Sequence, residues 1–139
     1  MTATITITNP ILRGMNPDPS WIWDDEFQRI VLVTSTFELV PGLPIYVSED
    51  MTCWKHVSNV VDADLARRLL IPFVDDSGGV YAPTLRRIHG KYVIACTIAR
   101  LDDRRAMEGG CTESELMRFH AAEGNFILEA DSIEGPVLD

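Results

Sequence analysis

An all-β fold is what this sequence predicts, and three observations carry that expectation. Its apolar segments are short and rich in β-branched residues, and clusters of turn residues separate them. The third is a hairpin pattern, with Thr84-Leu85-Arg86-Arg87-Ile88 and Lys91-Tyr92-Val93-Ile94-Ala95-Cys96-Thr97 flanking a His89-Gly90 turn.

The elements follow in order. Trp21-Ile22-Trp23 opens the first strand, ahead of an acidic turn at Asp24-Asp25-Glu26. Residues 30–35 are an apolar run that suits a strand covered on both faces. Pro41-Gly42-Leu43-Pro44 forces a bend, Ile45-Tyr46-Val47-Ser48 is the third strand, and residues 54–61 are the fourth, beyond the Ser48-Glu49-Asp50 turn. These four form one meander, with Trp21, Trp23 and Trp54 read as packing within it. Residues 62–70 begin at an N-cap candidate, Asp62, and hold Arg67 and Arg68 near their end, which predicts a short helical connection. Asp75-Asp76-Ser77-Gly78-Gly79 is expected as a loop opening a second four-stranded unit, which continues through the hairpin to a strand at 125–130. Residues 101–124 are charged and irregular, with a short helix expected about 114–120.

Two successive four-stranded meanders are the pattern of β-propeller blades. With strands of about 5–6 residues and short turns, a blade takes about 40–60 residues. The 139 residues therefore hold about two blades, whereas a closed ring needs at least about four.

Composition narrows the function. Twelve Lys and Arg against twenty-one Asp and Glu give a net charge of −9, so the phosphate attraction behind nucleic-acid affinity is missing and no nucleic-acid partner is expected. No apolar run approaches the roughly 20 residues that span a bilayer, so no membrane partner is expected either. Met1-Thr2-Ala3-Thr4-Ile5-Thr6-Ile7-Thr8 lacks the basic and apolar regions of a secretory signal. Cys53, Cys96 and Cys111 are odd in number and widely spaced, against a disulfide framework and in keeping with a reducing compartment. The expected location is cytoplasmic. His56, His89 and His120 are isolated and no Cys or His pair has zinc-site spacing, so neither metal nor other cofactor is expected.

Chemistry concentrates in Asn16-Pro17-Asp18-Pro19-Ser20. Each proline ring fixes its own φ, and Pro19 is expected to push Asp18 into an extended conformation, aiming the carboxylate from a stiff backbone. A general base needs that pre-organisation, because misplacement by about 1 Å costs up to roughly two orders of magnitude in rate. On local chemistry alone, a rigid turn entering the first strand explains the same residues.

The segment Asn9-Pro10-Ile11-Leu12 through Asn16-Pro17-Asp18-Pro19-Ser20 resembles the opening of the β-xylosidases and α-L-arabinofuranosidases of glycoside hydrolase family 43. Thr34-Ser35-Thr36-Phe37-Glu38, Pro41-Gly42-Leu43-Pro44-Ile45-Tyr46 and Ser48-Glu49-Asp50-Met51-Thr52-Cys53-Trp54 follow in family order. Ser77-Gly78-Gly79-Val80-Tyr81-Ala82-Pro83-Thr84 resembles the second-blade motif, with Tyr81 where the family usually has Trp, and Gly124-Asn125-Phe126-Ile127 and Gly135-Pro136 fit the end of that blade.

The resemblance implies a five-bladed propeller, of which residues 1–139 are the N-terminal part, blades one and two. It implies an inverting glycosidase of carbohydrate metabolism, acting on small xylo- or arabino-oligosaccharides, as in xylan degradation, with three carboxyl groups. Asp18 takes the place of the general base; the acidity-tuning Asp and the Glu acid are expected outside this chain, and Glu108, Glu113, Glu115 and Glu123 match no acid motif. Phe37 and Tyr81 would face the sugar at the propeller axis, although blade core is an equal reading for both, and the smaller Tyr81 leaves the exact substrate open. Calcium held in some relatives' channel would draw its ligands largely from later blades. The sucrose- and fructan-cleaving propellers carry an Asn-Asp-Pro-Asn motif instead, which this order of residues does not match. A catalytically inactive remnant that at most binds sugar or a partner, and that self-associates through exposed blade faces, is the competing reading.

Overall fold

The computed structural model describes residues 4–134. Met1 to Ala3 of the N-terminal stretch and the Gly135-Pro136 match lie outside the described residues.

The first unit forms as expected. Strands β1 (Ser20–Asp24), β2 (Arg29–Val33), β3 (Gly42–Ser48) and β4 (Lys55–Val61) make an antiparallel sheet in the order β1-β2-β3-β4. Helix α1 (Ala63–Arg68) follows, capped by the Asp62 carboxylate, which accepts from Leu65 N–H. Strands β5 (Val74–Ile88), β6 (Lys91–Leu101) and β7 (Asn125–Ala130) form the second sheet, in the order β5-β6-β7.

Three features differ from the sequence expectation. Among the described residues the second sheet has three strands rather than four. The segment expected as a loop at 75–79 belongs to β5: the register slips between Val74, paired with Leu101, and Gly79, paired with Ala99, so the extra polar residues bulge out of a strand that continues. The stretch 101–124 holds the helix expected about 114–120, α3 (Glu113–Ala121), and ahead of it a helix that was not expected, α2 (Asp103–Glu108). Asp102 caps α2, and Thr112 with Glu115 forms a reciprocal capping box on α3.

The core lies between the sheets. Val31, Val33 and Ile45 from the first meet Leu85, Tyr92, Ile94, Ile98 and Leu128 from the second. Along β2 the intervening Ile30 and Leu32 are also buried, so this strand is covered on both faces as its unbroken apolar run predicts. Leu32 pairs with Trp21 and Tyr46, and Ile30 with Trp23, which places both tryptophans on the face turned away from the second sheet. They are 59% and 44% exposed, so the reading of Trp21 and Trp23 as packing inside the blade is corrected: strand alternation gives the inward positions to Ile22 and Asp24.

Candidate active site

Asp18 stands at the entry to β1, and both sheets hold its carboxylate. Ser35, just past the end of β2, donates its hydroxyl to Asp18 Oδ2 at 2.8 Å, and Ala82 N–H in β5 reaches the same oxygen at 3.4 Å. Ser35 N–H also bonds the Pro17 carbonyl at 2.9 Å, tying the dipeptide before Pro19 to the first sheet. The backbone is not extended as expected: φ of Asp18 is 50°. Asp is one of the few side chains enriched in this left-handed region, and the two hydrogen bonds to Oδ2 come from groups fixed by the sheets rather than by the neighbouring prolines.

Phe37, two residues beyond Ser35, joins the second sheet through a backbone bridge. Its N–H donates to Val80 O at 3.2 Å, and Val80 N–H donates to Phe37 O at 2.9 Å. The approach depends on Gly79, where a Cβ would fall 2.1 Å from Phe37 O. Tyr81, next along β5, then meets Phe37 edge to face, with ring centroids 4.8 Å apart and planes inclined at 63°. Both rings are half-buried, and neither belongs to the buried core cluster between the sheets. The Tyr81 hydroxyl donates to Ser77 O within its own strand.

The structure thus brings together Asp18, Phe37 and Tyr81, three residues singled out from distant parts of the sequence, and adds three that sequence reasoning did not assign. Ser35 and Ala82 are the carboxylate's donors; Ser35 lay inside a quoted motif, but its contact with Asp18 exists only after folding. Cys96 donates its thiol to Tyr81 O at 2.9 Å. Burial, with the nearby Asp18 charge adding to it, pushes this thiol up to about 12, so it stays protonated and is no nucleophile at neutral pH.

At the far end of β1 a second charged cluster joins the sheets. Asp24, read from sequence as part of an acidic turn, is wholly buried and accepts from Tyr92 hydroxyl and Arg87 guanidinium, with Arg29 Nε 3.9 Å away. Burial, then the bond to Asp24, raises the Tyr92 hydroxyl above its usual range. This is a tie between sheets, not an open site.

Asp18 itself is exposed. A void of about 30 Å³ between the sheets, lined by Ile45, Leu85, Tyr92 and Leu128 among others, has room for little more than a water. A larger cleft of about 340 Å³ lies between α1 and α3 beside Arg118 and Phe119, away from the carboxylate.

Comparison with known proteins follows the same outline. Glycosyl hydrolases family 43 matches residues 7–139. The chain is 43% identical over 94 residues to a non-reducing end α-L-arabinofuranosidase of Bacteroides ovatus, covering 66% of this chain and 17% of that protein. It is 34% identical over 135 residues to a xylan 1,3-β-xylosidase of a Vibrio species, covering 96% and 22%. The solved structure of the Bacteroides ovatus xyloglucan PUL GH43B superposes with a TM-score of 0.72 at 33% identity, covering 96% of this chain and 22% of that one. The two antiparallel sheets therefore correspond to about a fifth of a five-bladed propeller enzyme, and the chain spans about a fifth of the length of the relatives it matches.

Proposed function

Because the chain belongs to glycosyl hydrolases family 43, we propose that it carries the base half of an inverting glycosidase site for the non-reducing end of xylo- or arabino-oligosaccharides. The observation that supports this most directly is the carboxylate of Asp18, exposed at one end of β1 and held by donors from both sheets beside the half-buried pair Phe37 and Tyr81.

In this reading the two rings pack on the apolar face of the sugar, and Asp18 takes a proton from water as its oxygen attacks the anomeric carbon. The leaving oxygen needs a proton from an acid across the scissile bond, and an inverting pair stands about 6.5–9.5 Å apart. One carboxylate cannot do both, so the acid comes from residues outside these 139. The chain is then part of blades one and two of a larger ring, and as it stands it does not turn over substrate.

A second reading draws on the same fold. Trp21 and Trp23, exposed on one outer sheet face, and Ile127, 67% exposed on the second sheet, suit a remnant that binds sugar or a partner without catalysis and associates through those faces.

The test is to continue this chain in frame with the remaining blades of a matched relative and assay the ring-completed protein on aryl β-xyloside and aryl α-L-arabinofuranoside. Asp18→Asn keeps the shape but cannot take the proton, and turnover is expected to fall by about 10²–10⁴-fold, with the anomeric configuration of the parental product inverted. Retention of more than a tenth of parental turnover would remove Asp18 from the role of base.

A further inference from the structure

We propose that Ser35 is the positioning residue that decides which oxygen of Asp18 receives the proton, an inference that rests on Asp18 being the base. Two prolines flank the carboxylate, but their rings restrain backbone torsions, so Pro17 and Pro19 leave the Asp18 side-chain torsions free. An exposed carboxylate on an unrestrained Cβ turns between rotamers. Something else has to stop it.

Ser35 is built for that task. It is wholly buried, and it clasps the Pro17-Asp18 dipeptide twice. Its N–H holds the Pro17 carbonyl at 2.9 Å, and its hydroxyl, with a single proton to give, donates to Asp18 Oδ2 at 2.8 Å rather than to the same carbonyl, which is 3.4 Å away. The position of Ser35 is set by β2, which precedes it directly in the first sheet. The hydroxyl is therefore a fixed point against which the carboxylate is held. Ala82 N–H approaches the same oxygen from the second sheet.

Both donors fall on Oδ2, and a carboxylate oxygen engaged by donors is less available to a further proton. The geometry thus assigns Oδ1 as the accepting atom. As the water oxygen bonds to the anomeric carbon, its proton goes to Oδ1. The glycosidic carbon–oxygen bond breaks with its electron pair on the leaving oxygen, which is protonated by the carboxylic acid outside this chain. Ser35 touches neither the sugar nor the water and acts only through Asp18.

A double-substitution cycle in the ring-completed protein tests this, with kcat and KM measured for the parent, Ser35→Ala, Asp18→Asn and the combined variant. Ser35→Ala is expected to lower kcat by about ten- to a hundredfold through loss of alignment, with KM within about twofold of the parent because the rings that hold the sugar are untouched. Once Asp18 is Asn there is no base to align, so adding Ser35→Ala is expected to cost no further activity. Asp18→Asn low with Ser35→Ala near the parental kcat overturns the role of Ser35 and leaves the base assignment standing. The combined variant falling below Asp18→Asn by the factor that Ser35→Ala costs the parent also overturns it, since a residue that merely supports the fold lowers both backgrounds alike. Asp18→Asn as active as the parent removes the base assignment and this inference with it.

Discussion

Adding one methyl group at Gly79 tests whether the bridge between the sheets sets the aromatic pair. The Cβ would lie 2.1 Å from Phe37 O and 2.3 Å from Phe37 C, whereas unstrained carbon contacts stand at about 3.5–4.0 Å. Phe37 therefore has to retreat by on the order of 1 Å, and the two backbone hydrogen bonds it exchanges with Val80, at 3.2 and 2.9 Å, break. Each is worth about 0.5–1.5 kcal/mol, and placing a side chain at φ +100° adds about 1–3 kcal/mol of backbone strain. A loss of about 2–6 kcal/mol follows for Gly79→Ala. Gly90→Ala is the control: its φ is +83°, but a Cβ there meets nothing within 4 Å, so only the strain of about 1–3 kcal/mol applies. The assay is urea unfolding of the ring-completed protein and its two variants, scored by midpoint at unchanged slope, together with xylose affinity. Gly79→Ala is expected to be the less stable variant and the only one to lose sugar affinity, because Phe37 moves off Tyr81. Equal midpoints and equal affinities in the two variants would refute the argument that this contact holds the pair in place.

Three further outcomes are expected. Tyr81→Ala in the ring-completed protein weakens sugar binding more than it lowers stability; a loss of about 3–5 kcal/mol, typical of an emptied aromatic core position, with affinity unchanged would return Tyr81 to the core. The 139-residue chain alone shows no turnover on either aryl glycoside and self-associates in light scattering, and Trp21→Lys with Trp23→Lys reduces that association; a monodisperse monomer whose turnover vanishes with Asp18→Asn would contradict both parts. The Cys96 thiol, raised from its ordinary value near 9 to about 12, keeps its proton in the fold after the unfolded chain has lost it. Its stabilising contribution is therefore complete below about 9 and declines between about 9 and 12. The excess loss of stability from pH 8 to 11 in the parent over Cys96→Ser, read from unfolding midpoints, measures it, and identical pH dependence in both would show that burial does not hold the proton.

Much of the architecture was legible because it is local. The meander β1-β2-β3-β4, the His89-Gly90 hairpin and the Asp62 cap each depend on alternation, turn chemistry or a side chain within a few residues of its target. The Thr112-to-Glu115 capping box was equally local, and its charged surroundings obscured it. Asp18, Phe37 and Tyr81 could be named from ordered motifs, which record the residue types a site requires. What the motifs did not contain was contact between them. Asp24 reads as part of an acidic turn with Asp25 and Glu26, and it becomes a buried tie only because the β5-β6 hairpin delivers Arg87 and Tyr92, 63 and 68 residues later. Ser35 joins the site when the chain after β2 lies beside the entry to β1, Cys96 through a bond from β6 to β5, and Ala82 only when the second sheet packs on the first. The strand period by itself determined which residues alternate. Which face of each strand was buried, only the packing of one sheet against the other decided, and which oxygen of Asp18 was held was decided by Ser35 from beyond β2 together with Ala82 from the second sheet, because burial and hydrogen-bond partnership belong to pairs of surfaces and not to a single segment of chain.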